Sequence, residues 1–206
     1  GATDGSSTLT ETGDALYIES GYNDRDISVS ISGGHLNSKS AKAVRMFVKN
    51  GENTSAKREI SVTGGTFSSD VSAYVAEGYV QNENGTVEQL GETNAVAKVG
   101  NTYYKSLVDA YAALPRGEGA APSEPTTITL LKDSEGGGIG SDKTDNYMNY
   151  VIDFNGHTYT VGAPAVGSTG TVSQGIRVLK TSTAKFMNGT LKAANYNQLV
   201  QVVHTY

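Results

Sequence analysis

The chain has 206 residues, a formal net charge of −5 and no cysteine. Its length allows one sizeable core or two small ones, and the lack of cysteine excludes disulfides, thiolate metal sites and thiol nucleophiles. With no basic cluster and only short apolar runs, it offers neither a nucleic-acid footprint nor a membrane-spanning segment.

Twenty-five glycines, twelve tyrosines and only four prolines, among many Thr, Ser and Val, favour strands joined by tight turns. Residues 1–13 are Gly, Ser, Thr and acidic residues with no apolar period, and read as a flexible leader without a signal-peptide pattern. Strand-like runs follow at Ala15 to Glu19, Ile27 to Ser32, Ala43 to Val48 and Glu59 to Thr63. Alternation of period two in Asp26-Ile27-Ser28-Val29-Ser30-Ile31 puts Ile27, Val29 and Ile31 on one buried face.

One phrase is written twice. Ile31-Ser32-Gly33-Gly34-His35-Leu36 returns 31 residues later as Val62-Thr63-Gly64-Gly65-Thr66-Phe67. Looser forms are Phe154-Asn155-Gly156-His157-Thr158-Tyr159 and Phe186-Met187-Asn188-Gly189-Thr190-Leu191. The repeat extends upstream: Ala43-Val44-Arg45-Met46-Phe47-Val48 precedes one copy as Gly175-Ile176-Arg177-Val178-Leu179 precedes another. Repetition at a period of about 20 to 50 residues marks a stacked architecture.

Tyr74 to Val80 and the turn Asn84-Gly85 read as a closing hairpin, and a boundary falls near residues 91–97. The expected organisation is therefore a leader (1–13), coils with a closing segment (14–90) and a helix-led second set of coils (91–206), with one continuous solenoid as the variant. Asn101-Thr102 could cap a helix over Tyr103 to Leu114, with Leu107, Ala110, Tyr111 and Leu114 on one face. Pro115 and Gly117 would stop it. Thr126 to Leu131 reads as a buried strand, Lys132 to Asn149 as a glycine-rich loop, and Gln198 to His204 as a last strand with no cap.

The order Val96 to Ala110, then Ile128-Thr129-Leu130-Leu131-Lys132-Asp133, then Ile152-Asp153-Phe154-Asn155-Gly156-His157-Thr158 resembles the start of a right-handed parallel β-helix. Such pectate-lyase-like repeat modules occur in large surface and adhesin-type proteins of gut Firmicutes. The segment Val62 to Val80 is similar to the last coil and exit of such a module. The resemblance implies an all-β solenoid with one short capping helix near 103–114; a β-sandwich is the alternative, since closely spaced strands suit both.

β-Helices also carry polysaccharide lyases and glycoside hydrolases, which need two carboxylates about 5 to 10 Å apart. Asp24 and Asp26, with Arg25 between them, read more simply as a solvated turn, and Asp142 and Asp145 as an acidic loop. Arg45 and Arg177 recur at one repeat position, which argues for a structural or surface role because a catalytic residue need occur only once. Asn23, Asp24 and Asp26 supply oxygen donors without a calcium-loop pattern, and His35, His157 and His204 lack metal spacing. No catalytic residue, metal site or cofactor is assigned.

Asn53, Asn84 and Asn188 head glycosylation-type triplets, the last two better read as turns. Tyr103, Tyr104, Tyr111, Tyr147, Tyr150 and Tyr159 gather in the second half and suggest a sugar platform. The expectation is a non-catalytic structural or adhesive module, extracellular or on a bacterial surface, with host or dietary glycans as partners. A fragment of a polysaccharide lyase or glycoside hydrolase is the alternative. Open strand edges also predict end-to-end or swapped self-association.

Overall fold

The computed structural model describes residues 2–3, 9–10, 13–20, 26–48, 56–140, 144–168, 172–194 and 201–205. The chain divides into two compact units, Gly1–Leu90 and Gly91–Tyr206. Both are built from parallel coils, about five turns in total, so the protein is a β-solenoid with one short helix.

In the first unit, β1 (Ala2–Thr3) and β2 (Leu9–Thr10) form a small antiparallel pair. The next four strands, β3 (Leu16–Ser20), β4 (Ile27–Leu36), β5 (Val44–Val48) and β6 (Arg58–Phe67), wind as two stacked coils. β3 pairs in parallel with β5, and β4 with β6, so Ile31 lies against Val62 and both are buried. Ser28 and Ser30, on the opposite face of β4, are exposed, as the period-two alternation requires. With Val44, Phe67, Val71 and Val87 these residues make one apolar core.

The doubled glycine phrase is a corner. Register in the β4–β6 ladder shifts within it, between Ile31 and Ser32 and between Ser32 and His35, and Gly34 and Gly65 take φ of 89° and 108°, a region that side chains disfavour. Each strand thereby bends onto a new face of the coil while its ladder continues. Carboxylates fasten one coil to the next: Asp14 Oδ1 accepts the Lys42 N–H at 2.9 Å and Asp26 Oδ1 accepts the Lys57 N–H at 2.8 Å, across 28 and 31 residues.

The unit is closed by an antiparallel hairpin, β7 (Tyr79–Gln81) and β8 (Thr86–Gln89), with β8 also paired antiparallel to β6. Asn84 Oδ1 accepts the Thr86 N–H at 3.0 Å and shapes its turn, as Asn-Gly chemistry leads one to expect.

The second unit opens with the hairpin β9 (Ala97–Val99) and β10 (Thr102–Tyr104), then α1 (Leu107–Ala112). The helix is shorter than the sequence suggests because two local preferences compete. The β-branched and aromatic run Thr102-Tyr103-Tyr104 pairs with β9, and Ser106 is the true cap, its Oγ accepting the Asp109 N–H at 3.0 Å and donating to Asp109 Oδ2 at 2.7 Å. The first of these bonds satisfies one of the helix's unpaired N–H groups.

Three coils follow, through β11 (Thr126–Leu130), β12 (Ser134–Gly136), β13 (Asn149–Asp153), β14 (Thr158–Val161), β15 (Gln174–Val178), β16 (Thr183–Met187), β17 (Thr190–Ala193) and β18 (Gln201–Thr205). Their faces are the parallel ladders β11-β13-β16, β12-β14-β17 and β15-β18, the last extended by a parallel bridge from Ile139 to Ile176. These parallel ladders exclude the sandwich, whose sheets are antiparallel. Hairpin and helix cover the first coil, where Leu107, Ala110 and Tyr111 join Ile128, Leu130 and Ile152 in the core.

The Asn-Gly phrases turn the corner here as Gly-Gly does in the first unit, with Asn155 and Asn188 at φ of 52° and 58°. Asn155 Nδ2 donates to the Leu130 carbonyl and Asn188 Nδ2 to Asp153 Oδ1, at 3.2 and 3.1 Å, across 25 and 35 residues. One expectation needs correction. The segment between Lys132 and Asn149 is not wholly loop, because β12 lies inside it, recruited by its register with β14 rather than by its own propensity.

Candidate binding surfaces

Two surfaces of the first unit could meet a ligand. One is a cleft of about 590 Å³ between the segment after β6 and the β7–β8 hairpin, lined by Ser68, Ser69, Asp70, Gln81, Glu83 and Asn84 among others. Much of its polar wall is engaged in holding backbone. Ser68 Oγ accepts the Ser38 N–H and Ser69 Oγ accepts the Ala43 N–H, both at 2.8 Å. Gln81 Oε1 accepts the Val71 N–H at 2.8 Å, and its Nε2 donates to the Ser69 carbonyl at 3.1 Å.

The cleft has two carboxylates, Asp70 and Glu83. The Ser72 backbone N–H and hydroxyl hold the Asp70 carboxyl below its ordinary range. Glycoside hydrolysis asks the reverse of its acid, a carboxyl kept protonated near neutral pH. Asp70 is suited to accept hydrogen bonds, not to deliver a proton.

The other surface is the outer face of the β3–β5 pair. Leu16 packs toward the core, so alternation turns Tyr17 outward, and Phe47 follows on the next coil. The rings stack with centroids 6.2 Å apart and planes inclined by 22°. Tyr17 is 47 % exposed and Phe47 42 %. Arg45 stands directly across the ladder from Tyr17 and its Nε contacts Asp14 Oδ2 at 2.8 Å, while Glu19 stands across from Phe47. The result is a small aromatic step bordered by a guanidinium and two carboxylates.

The tyrosines of the second half are not such a platform. Tyr111, Tyr150 and Tyr159 are core residues, at most 4 % exposed, with Tyr111 and Tyr150 edge to face. Burial raises all three phenols, that of Tyr159 to about 12 with Glu135 adding to the effect. Tyr103, Tyr104 and Tyr147 are half-buried, and the Lys180 ammonium lies over the Tyr147 ring.

The remaining candidates are scattered. Asn23, Asp24, Arg25, Asn53 and Asp142 lie outside the described residues, as does the side chain of His204. Asp26 caps Lys57, as described above. Asp145 is buried, paired with Arg116, whose Nη2 also donates to the Tyr111 and Ala112 carbonyls at the end of α1. His157 Nδ1 is 3.4 Å from Asp133, and His35 is exposed on β4.

The matched arginines have different surroundings: the Arg45 side chain is 44 % exposed, whereas Arg177 is buried in β15 against Gly140. Among the described residues, no three His, Cys, Asp or Glu side chains gather as a metal site. The signal for the Tyr17–Phe47 pair is that both fall on outward positions of strands that one repeat superposes.

Compared with known proteins, the chain matches no family model, no curated protein and no solved structure. Its architecture is a β-solenoid.

Proposed function

We propose that this chain is a non-catalytic structural and adhesive module of a bacterial surface protein that holds polysaccharide on the side of its coils. The observation that carries the reading is the exposed Tyr17–Phe47 stack on a β-ladder, since solvent-facing aromatic rings offer apolar surface that the C–H face of a sugar can cover. Fastening of coil to coil by Asp14, Asp26, Asn155 and Asn188 suits a spacer that must keep its form. The surface location follows the resemblance to modular proteins of gut Firmicutes and the Cys-free, Thr/Ser/Gly-rich composition.

The rival reading is a polysaccharide-cleaving enzyme, favoured by the two carboxylates of the cleft. Native affinity electrophoresis in gels containing xylan, mucin, pectin or glycosaminoglycan separates the two readings. Slowed migration with the polymer left at full length supports the adhesive module. Shortened polymer would make the protein an enzyme, and unchanged migration in every gel would leave only the structural role.

A further inference from the structure

The geometry points to the Tyr17–Phe47 step as the binding site for a neutral polysaccharide, with Arg45 and Glu19 as its polar border. This rests on the glycan-binding reading above and deepens it to a place and a ligand class. The two rings belong to successive coils, so their spacing is fixed by the parallel ladder rather than by a loop. A rigid pair of apolar surfaces is pre-organised, which lowers the ordering cost of binding.

The size of the step selects the occupant. An aromatic side chain contributes about 150 to 250 Å², so at their observed exposure the two rings leave roughly 200 Å² open. A stable protein interface covers about 800 Å² on each partner. The step is too small to dock a second copy or a folded partner, and is matched to one or two sugar rings.

Charge narrows the class. Beside the rings the Arg45 guanidinium is already paired with Asp14, and the whole chain carries −5. A polyanion such as pectin or a glycosaminoglycan would meet net repulsion. A neutral polymer lays its C–H face on the rings and turns its hydroxyls to the exposed Arg45 and Glu19 side chains, groups that hydrogen-bond hydroxyls.

The test compares wild type with the Tyr17→Ala/Phe47→Ala variant in affinity gels of xylan, polygalacturonate and heparan sulfate, with thermal melts as the folding control. Slowing of the wild type by xylan is expected, with affinity reduced about tenfold or more in the double variant, the scale of losing two stacked rings. Phe47→Tyr keeps a ring and should keep binding. Phe47→Thr, which keeps strand propensity, decides the matter if the double variant melts early.

Undiminished xylan binding by a folded double variant would overturn the location and leave the glycan reading standing. Slowing only by the two polyanions would overturn the ligand class. No slowing of the wild type by any polymer would overturn the site and the glycan reading together. Co-sedimentation with phosphatidylglycerol vesicles that the double variant loses would reassign the step to a membrane surface.

Discussion

At the scale of single residues, the two copies of the glycine phrase have unequal surroundings. A Cβ on Gly64 would stand 2.5 Å from the Ser32 carbonyl oxygen, whereas a Cβ on Gly33 would meet nothing within 4 Å. Gly64 lies over the coil before it. Gly64→Ala should therefore cost about 1 to 3 kcal/mol through overpacking, while Gly33→Ala should be within about 0.5 kcal/mol of wild type; urea unfolding of the two variants checks this.

The buried phenols give a pH signature. Tyr159 titrates near 10.0 when unfolded and near 12 when folded, so above pH 10 the unfolded chain releases a proton that the folded chain keeps. Stability should be intact below pH 10 and fall as pH rises toward 12, with Tyr111 and Tyr150, raised by the same desolvation, adding to the loss. Melts across that range, followed beside phenolate absorbance, measure it. The sequence showed where tyrosines gather but not which way they face, because Tyr150 and Tyr159 are turned inward by registers that only the assembled ladders define.

Among the elements, α1 depends on its start. Ser106 and Asp109 bond reciprocally there, and Ser106→Ala should weaken the second unit by about 0.5 to 2 kcal/mol, seen as a lower melting temperature. Strands with strong alternation, such as Ile27 to Ile31 and Thr126 to Leu130, were legible from sequence because burial on one face writes itself as period two. β12, with Ser134, Glu135 and Gly136, was not, since its pairing with Tyr159 to Val161 is imposed by the coils around it. The helix was found but misjudged in length, because Tyr103 and Tyr104 fit a helical face as well as a hairpin. The aromatic step was not legible, because Tyr17 lies apart from the tyrosine-rich second half and Phe47 meets it only when the next coil is stacked on the first.

For the molecule as a whole, the two ends of the second unit differ. One is covered by α1 and the β9–β10 hairpin; at the other, β16, β17 and β18 are the outermost strands of their ladders among the described residues. Ile152 and Ile176 are fully buried and Tyr159 nearly so, while their register partners Phe186, Val203 and Leu191 remain half-buried or exposed. The central claim, that the coils hold polysaccharide without cutting it, is tested most directly by titrating xylan into the protein in a calorimeter and then sizing the recovered polymer. The account predicts measurable binding heat and polymer of unchanged length; no heat, or shortened chains, would contradict it.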